Sequence, residues 1–167
     1  MAAVWLARQK GHRLFERLVV VKTILPQYAT QEQFQKMFLD EARVAAAIEH
    51  PNVARTIDGG EKGDLLYIVM EWIDGESLSR LQRAVEKNGA KLPAGLVLRL
   101  LADCCAGLHA AHELRDKSGN PLGVVHRDVS PQNVLVSTAG VAKLIDFGVA
   151  KARDRASEGT SAGQYTP

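Results

Sequence analysis

Cysteine is scarce in this chain of 167 residues, and the two that occur, Cys104 and Cys105, are adjacent. Neighbouring cysteines within a helical pattern argue against the disulfide framework of a small secreted protein and indicate packing residues in a reducing compartment. Cys105, His109 and His112 would share one helix face, which raises a metal site. No fourth ligand lies nearby, however, and plain helix packing is the favoured interpretation.

The chain also lacks a surplus of charge. Its 21 Lys+Arg and 19 Asp+Glu residues give a net charge of +2 and are interleaved, which indicates a mixed solvated surface and no nucleic-acid partner. No uninterrupted apolar window approaches the length of a membrane-spanning helix, and the N-terminus lacks the apolar core of a signal peptide. With 46% hydrophobic residues, we expect one cytoplasmic globular domain without a membrane segment in this chain.

Residues 124–148 hold most of the chemical signals in the sequence. Two β-branched runs, 134–136 and 141–145, flank a turn-forming stretch at 137–140 and predict a β-hairpin. An apolar signal at 124–125 predicts a short strand before it. Polar residues follow these predicted strands: His126-Arg127-Asp128, Asn133 and Asp146-Phe147-Gly148.

Three of these side chains can converge in space. Asp128 and Asn133 lie on a predicted loop, and Asp146 lies at a strand end. Two carboxylates and an amide oxygen are hard ligands that Mg²⁺ accepts, with phosphate completing its octahedron. An isolated Asp-Phe-Gly would be an ordinary polar turn, but all three groups in this order favour a site.

A lysine lies inside a predicted strand, where charge is unexpected. Strands are predicted at 4–9 and 18–25, and the second is a nearly continuous β-branched run of the kind that is covered on both faces. Lys22 in that run is either an edge-strand gatekeeper or a cation aimed into a cleft.

The helix predicted next carries one acidic residue on its apolar stripe. Thr30 and Gln33 form a capping box at its start, and Pro51 ends the segment. Glu41 falls on the stripe, where an unpaired charge costs several kcal/mol, so it needs a cation and Lys22 is the natural candidate. An ion pair kept only for structure is the alternative.

The remaining predicted elements separate a strand-rich part from a helical part, with a hinge at 71–75. They are a hairpin of 53–58 and 65–72 around a turn at 59–64, a helix over 78–87 capped by Ser77, a helix over 94–115, and a surface loop over 116–123.

Taken together, these residues resemble the protein kinase family, of the bacterial Ser/Thr type. The run 126–133, His-Arg-Asp-Val-Ser-Pro-Gln-Asn, is similar to the catalytic loop H-R-D-L-x-x-x-N, and 146–148 matches D-F-G. Residues 19–22 resemble V-A-I-K, and Glu41 falls where the family's helix glutamate pairs that lysine.

The resemblance implies an α+β, two-lobed protein-kinase-like fold that is incomplete. A partial small lobe with the hinge, an antiparallel sheet plus one helix without its first strand, is expected at 1–73. A partial, mainly helical large lobe with the catalytic loop, D-F-G and the start of the activation loop is expected at 74–167.

The same resemblance implies ATP and Mg²⁺ as cofactors and a protein Ser/Thr hydroxyl, including the protein's own, as acceptor. Lys22, held by Glu41, would grip the α/β-phosphates, Asp146 and Asn133 would hold Mg²⁺, and Asp128 would accept the hydroxyl proton. The residues implied around adenine are Val4, Val20, Leu135 and Ile145 as walls, Met70 at the back, and the backbones of Glu71 and Ile73. Activation-loop hydroxyls that could pair as phosphates with Arg127, or be plain linker residues, are Ser157, Thr160 and Ser161.

Three departures from the family pattern bear on activity. The glycine-rich loop is nearly absent, since Val4 matches its final valine and Ala2 stands at its third glycine. Ser130 replaces a common catalytic-loop lysine and cannot supply that charge to the γ-phosphate. The chain ends before an A-P-E motif, so we expect a fragment or a mis-assigned reading frame, with apolar surface exposed on the helix at 94–115.

Three functions therefore stay open at this point. The leading hypothesis is a serine/threonine protein kinase that transfers the γ-phosphoryl group of ATP. The alternative is a truncated, catalytically weak or inactive nucleotide-binding or interaction module, motivated by the missing glycines and helices. A small-molecule kinase is a weaker third hypothesis, because Arg127 and the Ser/Thr-bearing tail favour protein substrates.

Overall fold

The computed structural model describes residues 2–11, 16–63 and 65–147. It contains two antiparallel sheets, ordered β1-β2-β4-β3 and β5-β6-β7, with helices packed against them, so the predicted α+β architecture is confirmed. The elements are β1 Ala2–Lys10, β2 Glu16–Ile24, α1 Pro26–Ala29, α2 Glu32–Ala47, β3 Thr56–Lys62, β4 Leu65–Glu71, β5 Gly75–Ser77, α3 Leu78–Lys87, α4 Ala94–His112, β6 Val134–Ser137 and β7 Ala142–Leu144, with one 3-10 turn at Pro131–Asn133.

The first sheet places Lys22 near the middle of a central strand. β2 pairs with β1 on one side, where Val4 lies opposite Lys22, and with β4 on the other, where Ile68 does. Val19, Lys22 and Ile24 are buried. The intervening residues of β2 are only partly covered, so the expected cover on both faces is incomplete.

Helix α2 begins one residue later than the predicted capping box requires. Its N-cap is Gln31, without a side-chain cap, and the amides of Phe34 and Gln35 bond the Gln31 carbonyl. The Thr30–Gln33 box is therefore wrong. The apolar stripe is confirmed, since Met37 and Phe38 are buried on the helix.

The hairpin of β3 and β4 is shifted from its predicted position. The predicted turn residues Gly59 and Gly60 lie inside β3, and the turn is at Gly63, whose φ is 60°. The Tyr67 side chain requires a glycine at position 60 of β3, because a Cβ there would lie 2.7 Å from the Tyr67 hydroxyl. Val53, predicted in the hairpin, instead bridges Leu144 of β7.

The second part of the chain follows its predicted elements closely. Ser77 caps α3 by accepting a hydrogen bond from the Arg80 amide at 3.4 Å. The hairpin of β6 and β7 is present. Helix α4 ends at His112 rather than near 115, and the strand predicted at 124–125 does not form, although Val124 is buried.

Helix α4 is long and apolar enough to cross a membrane by length and composition alone, with a mean hydropathy of 1.4 over 18 residues. Arg99 and Asp103 interrupt its apolar sequence, so α4 is not the uninterrupted apolar window that the sequence analysis found to be absent. The evidence for a span is weak, because α4 carries Leu100, Cys104 and Ala111 into the core. Its other side leaves Leu98 and Leu101 exposed, at 68% and 55%, as expected for this helix.

The two cysteines differ in environment. Cys104 is buried and Cys105 is exposed, so only the first is a packing residue. Within the described ranges no group of three or more His, Cys, Asp or Glu side chains could hold a metal ion. A site built on Cys105, His109 and His112 is therefore not supported.

Candidate active site

Lys22 joins two carboxylates that are far apart in the sequence. Its Nζ atom lies 2.6 Å from Glu41 Oε1 and 2.7 Å from Asp146 Oδ1. The Lys22 and Glu41 side chains are 11% and 16% exposed, whereas that of Asp146 is 38% exposed. The predicted contact of β2 with α2 is therefore present, and the same lysine also reaches the end of β7.

The contacts of the Lys22 ammonium with Glu41 and Asp146 shift the pKa values within this cluster. Burial by itself would lower the pKa of Lys22, but Asp146 and Glu41 outweigh it and raise that pKa above its ordinary value. Burial raises the pKa of Glu41, and Lys22 only partly opposes this shift while Asp146 reinforces it. The Lys22 ammonium interacts with two carboxylates, whereas Glu41 interacts with one ammonium and is repelled by Asp146, so ion pairing dominates the pKa of Lys22 but not that of Glu41. Lys22 is therefore firmly charged at neutral pH.

Asp128 and Asn133 are tied together across the loop that precedes β6. Asn133 Nδ2 donates to the Asp128 backbone carbonyl at 3.0 Å and to Asp128 Oδ2 at 3.1 Å. The Asn133 carbonyl in turn accepts from the Ile145 amide at 3.0 Å. Asp146 follows directly, so the three groups predicted to converge share one bonded framework.

Two residues of this framework have left-handed backbones. Arg127 has φ 62° and Asp146 has φ 57°, and neither is glycine. Such conformations are uncommon, cost free energy and persist where the surrounding structure over-determines them, often at functional sites.

His126 links this loop to the residues after β7, a role that the sequence analysis did not assign. It is 1% exposed and its ring lies 4.5 Å from that of Phe147. Its Nε2 lies 3.1 Å from the Ile145 carbonyl, and its Nδ1 accepts from the Asp128 amide at 3.4 Å. Both contacts suit the neutral ring with its proton on Nε2. Burial lowers the pKa of His126, despite bonds to backbone that favour its charged form.

The donor set fits a magnesium ion that is completed by phosphate. Asn133 uses its amide NH₂ group on Asp128, and no described residue donates to its Oδ1 atom. Asp146 has Lys22 as its one hydrogen-bond partner in the described part of the chain, through Oδ1. One amide oxygen and one partly exposed carboxylate match the sparse protein ligation of Mg²⁺ at phosphate sites.

The residues implied around adenine lie on the strands that border this cluster. Val20 pairs with Met70, and Val4, which is 62% exposed, pairs with Lys22. Leu135 on β6 lies opposite Lys143 of β7, and Ile145 follows that strand; both are partly buried.

The two residues implied to contact the adenine edge are Glu71, the last residue of β4, and Ile73, two residues later. Ile73 is 7% exposed, and its backbone groups have no hydrogen bond within the described ranges. These groups are therefore available to an external partner, because backbone amides and carbonyls are strong hydrogen-bonding groups. The Glu71 amide is already used by the Arg55 carbonyl at 2.9 Å, so of its two backbone groups only the carbonyl could make the implied contact.

Several other sequence predictions fall outside the described residues. They are Gly148 of the Asp-Phe-Gly run and the three candidate hydroxyls Ser157, Thr160 and Ser161. The structure adds residues that the sequence analysis missed. Glu71 accepts from Lys143 Nζ at 2.7 Å, and Asn52 and Asp103 bond the backbone of β7. No local pattern marks these three contacts, since each joins residues at least 39 positions apart.

Comparison with known proteins agrees with this geometry. The family model for the protein kinase domain matches residues 3–167. The tyrosine-protein kinase MasK of Myxococcus xanthus is 43% identical over 155 residues, which cover 93% of this chain and 24% of MasK. The serine/threonine-protein kinase PknB of Mycobacterium tuberculosis is 36% identical over 156 residues, 91% of this chain and 22% of PknB.

A solved structure gives the same result for the fold. The kinase domain of Mycobacterium tuberculosis PknI superposes with a TM-score of 0.67 at 30% identity, over 89% of this chain and 55% of that one. The chain spans about a quarter of the length of the curated relatives and just over half of this solved domain. The matching sequence model, the relatives and the shared two-lobed architecture together place this chain in the protein kinase family.

Proposed function

We propose that this chain carries the nucleotide-binding and catalytic centre of a serine/threonine protein kinase that uses ATP and Mg²⁺. The observation that supports it most strongly is the Lys22 ammonium held between Glu41 and Asp146, at 2.6 and 2.7 Å. A structural ion pair would need one carboxylate; the second lies at the end of β7, beside Asn133 and Asp128.

In this proposal each side chain has a task that its contacts suit. Lys22, oriented by Glu41, would bind the α/β-phosphates, while Asp146 and Asn133 would hold the Mg²⁺ that neutralises developing charge on the phosphates. Asp128, kept in place by Asn133 and His126, would orient the acceptor hydroxyl and take its proton. The new bond joins the hydroxyl oxygen to the γ-phosphorus as the bond from that phosphorus to the β–γ bridging oxygen breaks.

The adenine site in this proposal is the backbone of Glu71 and Ile73 with the apolar residues beside it. Ile73 supplies amide and carbonyl groups without hydrogen-bond partners in the described part of the chain. The walls would be Val4, Val20, Leu135 and Ile145, with Met70 behind them. Ser130 provides no charge to the γ-phosphate, so the metal would have to compensate for the missing lysine.

The test is phosphoryl transfer by the intact protein with Mg-ATP, to itself and to a general protein substrate. Asp128→Ala is expected to lower turnover by at least about a hundredfold while nucleotide affinity changes little, because positioned acid–base groups contribute about 10²–10⁴ in rate. Asp58→Ala, on the exposed part of β3, is the matched control and should remain active. Nucleotide binding without any transfer would instead support the alternative, a nucleotide-binding or interaction module.

A tyrosine acceptor is a second candidate. The observation in its favour is that the relative with 43% identity is named a tyrosine-protein kinase, whereas PknB and others are named serine/threonine-protein kinases. Phosphoamino-acid analysis of the autophosphorylated protein separates the two acceptors. Phosphotyrosine without phosphoserine or phosphothreonine would overturn the serine/threonine assignment.

A further inference from the structure

Asp103 is a buried carboxylate in the middle of an apolar helix. It is 8% exposed and shares the inner face of α4 with Leu100, Cys104, Gly107 and Ala111. An acidic side chain at such a position is costly unless its oxygens are bonded. Nothing in the proposed reaction uses Asp103, so its contacts must explain it.

The two oxygens of Asp103 have different partners. Oδ2 accepts from the Ala142 amide at 3.0 Å, and Oδ1 accepts from Arg99 Nε at 3.2 Å. The Arg99 side chain is 70% exposed and lies one turn earlier on the same helix. Among the described residues, the one hydrogen bond that takes Asp103 beyond its own helix is therefore directed to the first residue of β7.

β7 is an edge strand. On the side away from β6, its backbone groups form hydrogen bonds with residues outside the sheet. Asn52 Nδ2 donates to the Ala142 carbonyl at 2.9 Å. The Leu144 amide donates to the Asn52 carbonyl, and the Leu144 carbonyl accepts from Ala54, both at 2.8 Å. Together with Asp103 these bonds satisfy the backbone groups of Ala142 and Leu144 that face away from β6, and both residues are 0% exposed.

β7, which these bonds hold in place, ends two residues before Asp146. Asp146 has a left-handed backbone, a conformation that depends on anchors on both sides. The anchors after β7 are the bonds of Ile145 to Asn133 and His126. The side-chain anchors at its start are Asp103 and Asn52.

We propose that Asp103 is a positioning residue for the reaction: through the Ala142 amide it sets β7 so that the Asp146 carboxylate lies within reach of Lys22 and of the metal. This inference rests on the proposed function, since it assigns Asp103 to the geometry of the same site. In this inference Asp103 would act through the Ala142 amide and not by contact with nucleotide or acceptor.

The test compares two replacements of Asp103 in the intact protein. Asp103→Leu removes the acceptor at similar size, whereas Asp103→Asn loses the charge and keeps an acceptor oxygen. The readouts are the Mg²⁺ concentration that half-saturates binding of a non-hydrolysable ATP analogue, by calorimetry, and amide exchange of β7 without any ligand. We expect Asp103→Leu to raise the half-saturating Mg²⁺ about tenfold and to speed exchange at Ala142, because groups that orient metal ligands affect metal affinity by about 10–100-fold. Asp103→Asn should stay within about twofold of the unaltered protein.

Two controls separate positioning from simple stability. Leu100→Ala removes a neighbouring core side chain of α4, and Arg99→Ala removes the other partner of Asp103. Measured at a temperature where every variant is folded, both should leave the half-saturating Mg²⁺ unchanged. If Asp103→Leu does not fold, Asp103→Glu replaces it, because one added methylene moves the acceptor and must also raise the half-saturating Mg²⁺.

The outcomes distinguish this inference from the proposed function. If the unaltered protein binds Mg-ATP and transfers phosphate but Asp103→Leu needs no more Mg²⁺ than Leu100→Ala, Asp103 only packs and the inference is overturned. Equal effects of Asp103→Asn and Asp103→Leu would also overturn it, since the backbone bond would then not be the cause. An unaltered protein without nucleotide binding or transfer contradicts the proposed function itself.

Discussion

At the scale of single residues, the cluster around Lys22 is governed by an imbalance of charge. One ammonium serves Glu41 and Asp146, so removing it leaves two carboxylates facing each other in a largely buried place. Removal of one partner from a buried ion pair is much more damaging than replacement of the whole pair, because the remaining charge has lost its compensation.

Lys22→Met is therefore expected to lower the free energy of unfolding by about 3 kcal/mol, near the lower end for broken buried pairs because Asp146 remains partly hydrated. Urea denaturation at pH 7 measures this change. Lys10→Met is the matched control: Lys10 lies 3.8 Å from Glu16 with its side chain 77% exposed, and it should cost less than about 0.5 kcal/mol. Equal stabilities of the two variants would contradict the charge imbalance.

His126 gives the protein a predictable response to acid. Burial holds its folded-state pKa below the ordinary value of 6.5, so its contribution to stability is present above that pH. The contribution is lost as pH falls from 6.5 towards the folded pKa. In that range the His126 ring is protonated in the unfolded chain but stays neutral in the native protein, so protonation favours unfolding. The expected slope is at most about 1.4 kcal/mol per pH unit.

The measurement is urea unfolding between pH 7 and pH 5 for the unaltered protein and for His126→Asn, which should show a flatter profile. His109→Asn removes an exposed histidine and should leave the profile unchanged. A slope that survives in His126→Asn would show that another group causes the acid response.

At the scale of elements, the segment 52–54 joins the two sheets. It bonds the outer edge of β7 and also packs against α4, where Gly107 leaves room for the Asn52 carbonyl. The connection between α2, which carries Glu41, and β7, which leads to Asp146, therefore depends on a close backbone approach. No side chain larger than hydrogen fits at that point of α4.

Two glycines of the same helix test this close approach. A Cβ on Gly107 would lie 2.7 Å from the Asn52 carbonyl oxygen, whereas one on Gly95 would meet nothing within 4 Å. Gly107→Ala should therefore cost about 1–3 kcal/mol through overpacking, and Gly95→Ala should be neutral or stabilising by up to about 1 kcal/mol. Chemical denaturation of both variants checks the difference. A stabilising Gly107→Ala would mean that α4 and the segment 52–54 lie farther apart.

At the scale of the whole molecule, the described residues leave large apolar side chains in the solvent on two sides. Val4 and Trp5 of the edge strand β1 are 62% and 60% exposed, and Leu98 and Leu101 of α4 are 68% and 55% exposed. Exposed large apolar side chains of this kind favour association.

We expect the 167-residue chain, taken by itself, to self-associate at micromolar concentration and to bind a fluorescent apolar dye. Light scattering after size exclusion gives the oligomeric state. The double replacement of Leu98 and Leu101 by Gln should reduce association, while the same change at the exposed polar residues Arg83 and Lys87 of α3 should not. A monomeric, cooperative melt of the unaltered 167-residue chain would contradict this expectation.

The sequence predicted the elements best where local patterns and packing agree. The β-branched run of β2, the Ser77 cap and the hairpin of β6 and β7 are present as expected. The Thr30–Gln33 capping box failed because Thr30 is the C-cap of the short helix α1 and has an αR backbone, whereas an N-cap residue needs an extended one. The β3 turn failed because Gly60 accommodates Tyr67 rather than reversing the chain.

The sequence by itself determined which groups form the candidate site, because a lysine in an apolar strand and a glutamate on an apolar stripe each require a partner. Only the tertiary structure decided that Lys22 also binds Asp146, 124 residues away, and that Asp103 and Asn52 hold the backbone of β7. Local patterns report forces between neighbours in the chain. Contacts with unpaired backbone groups of a distant edge strand depend on where the fold leaves those groups, and no residue pattern encodes that position.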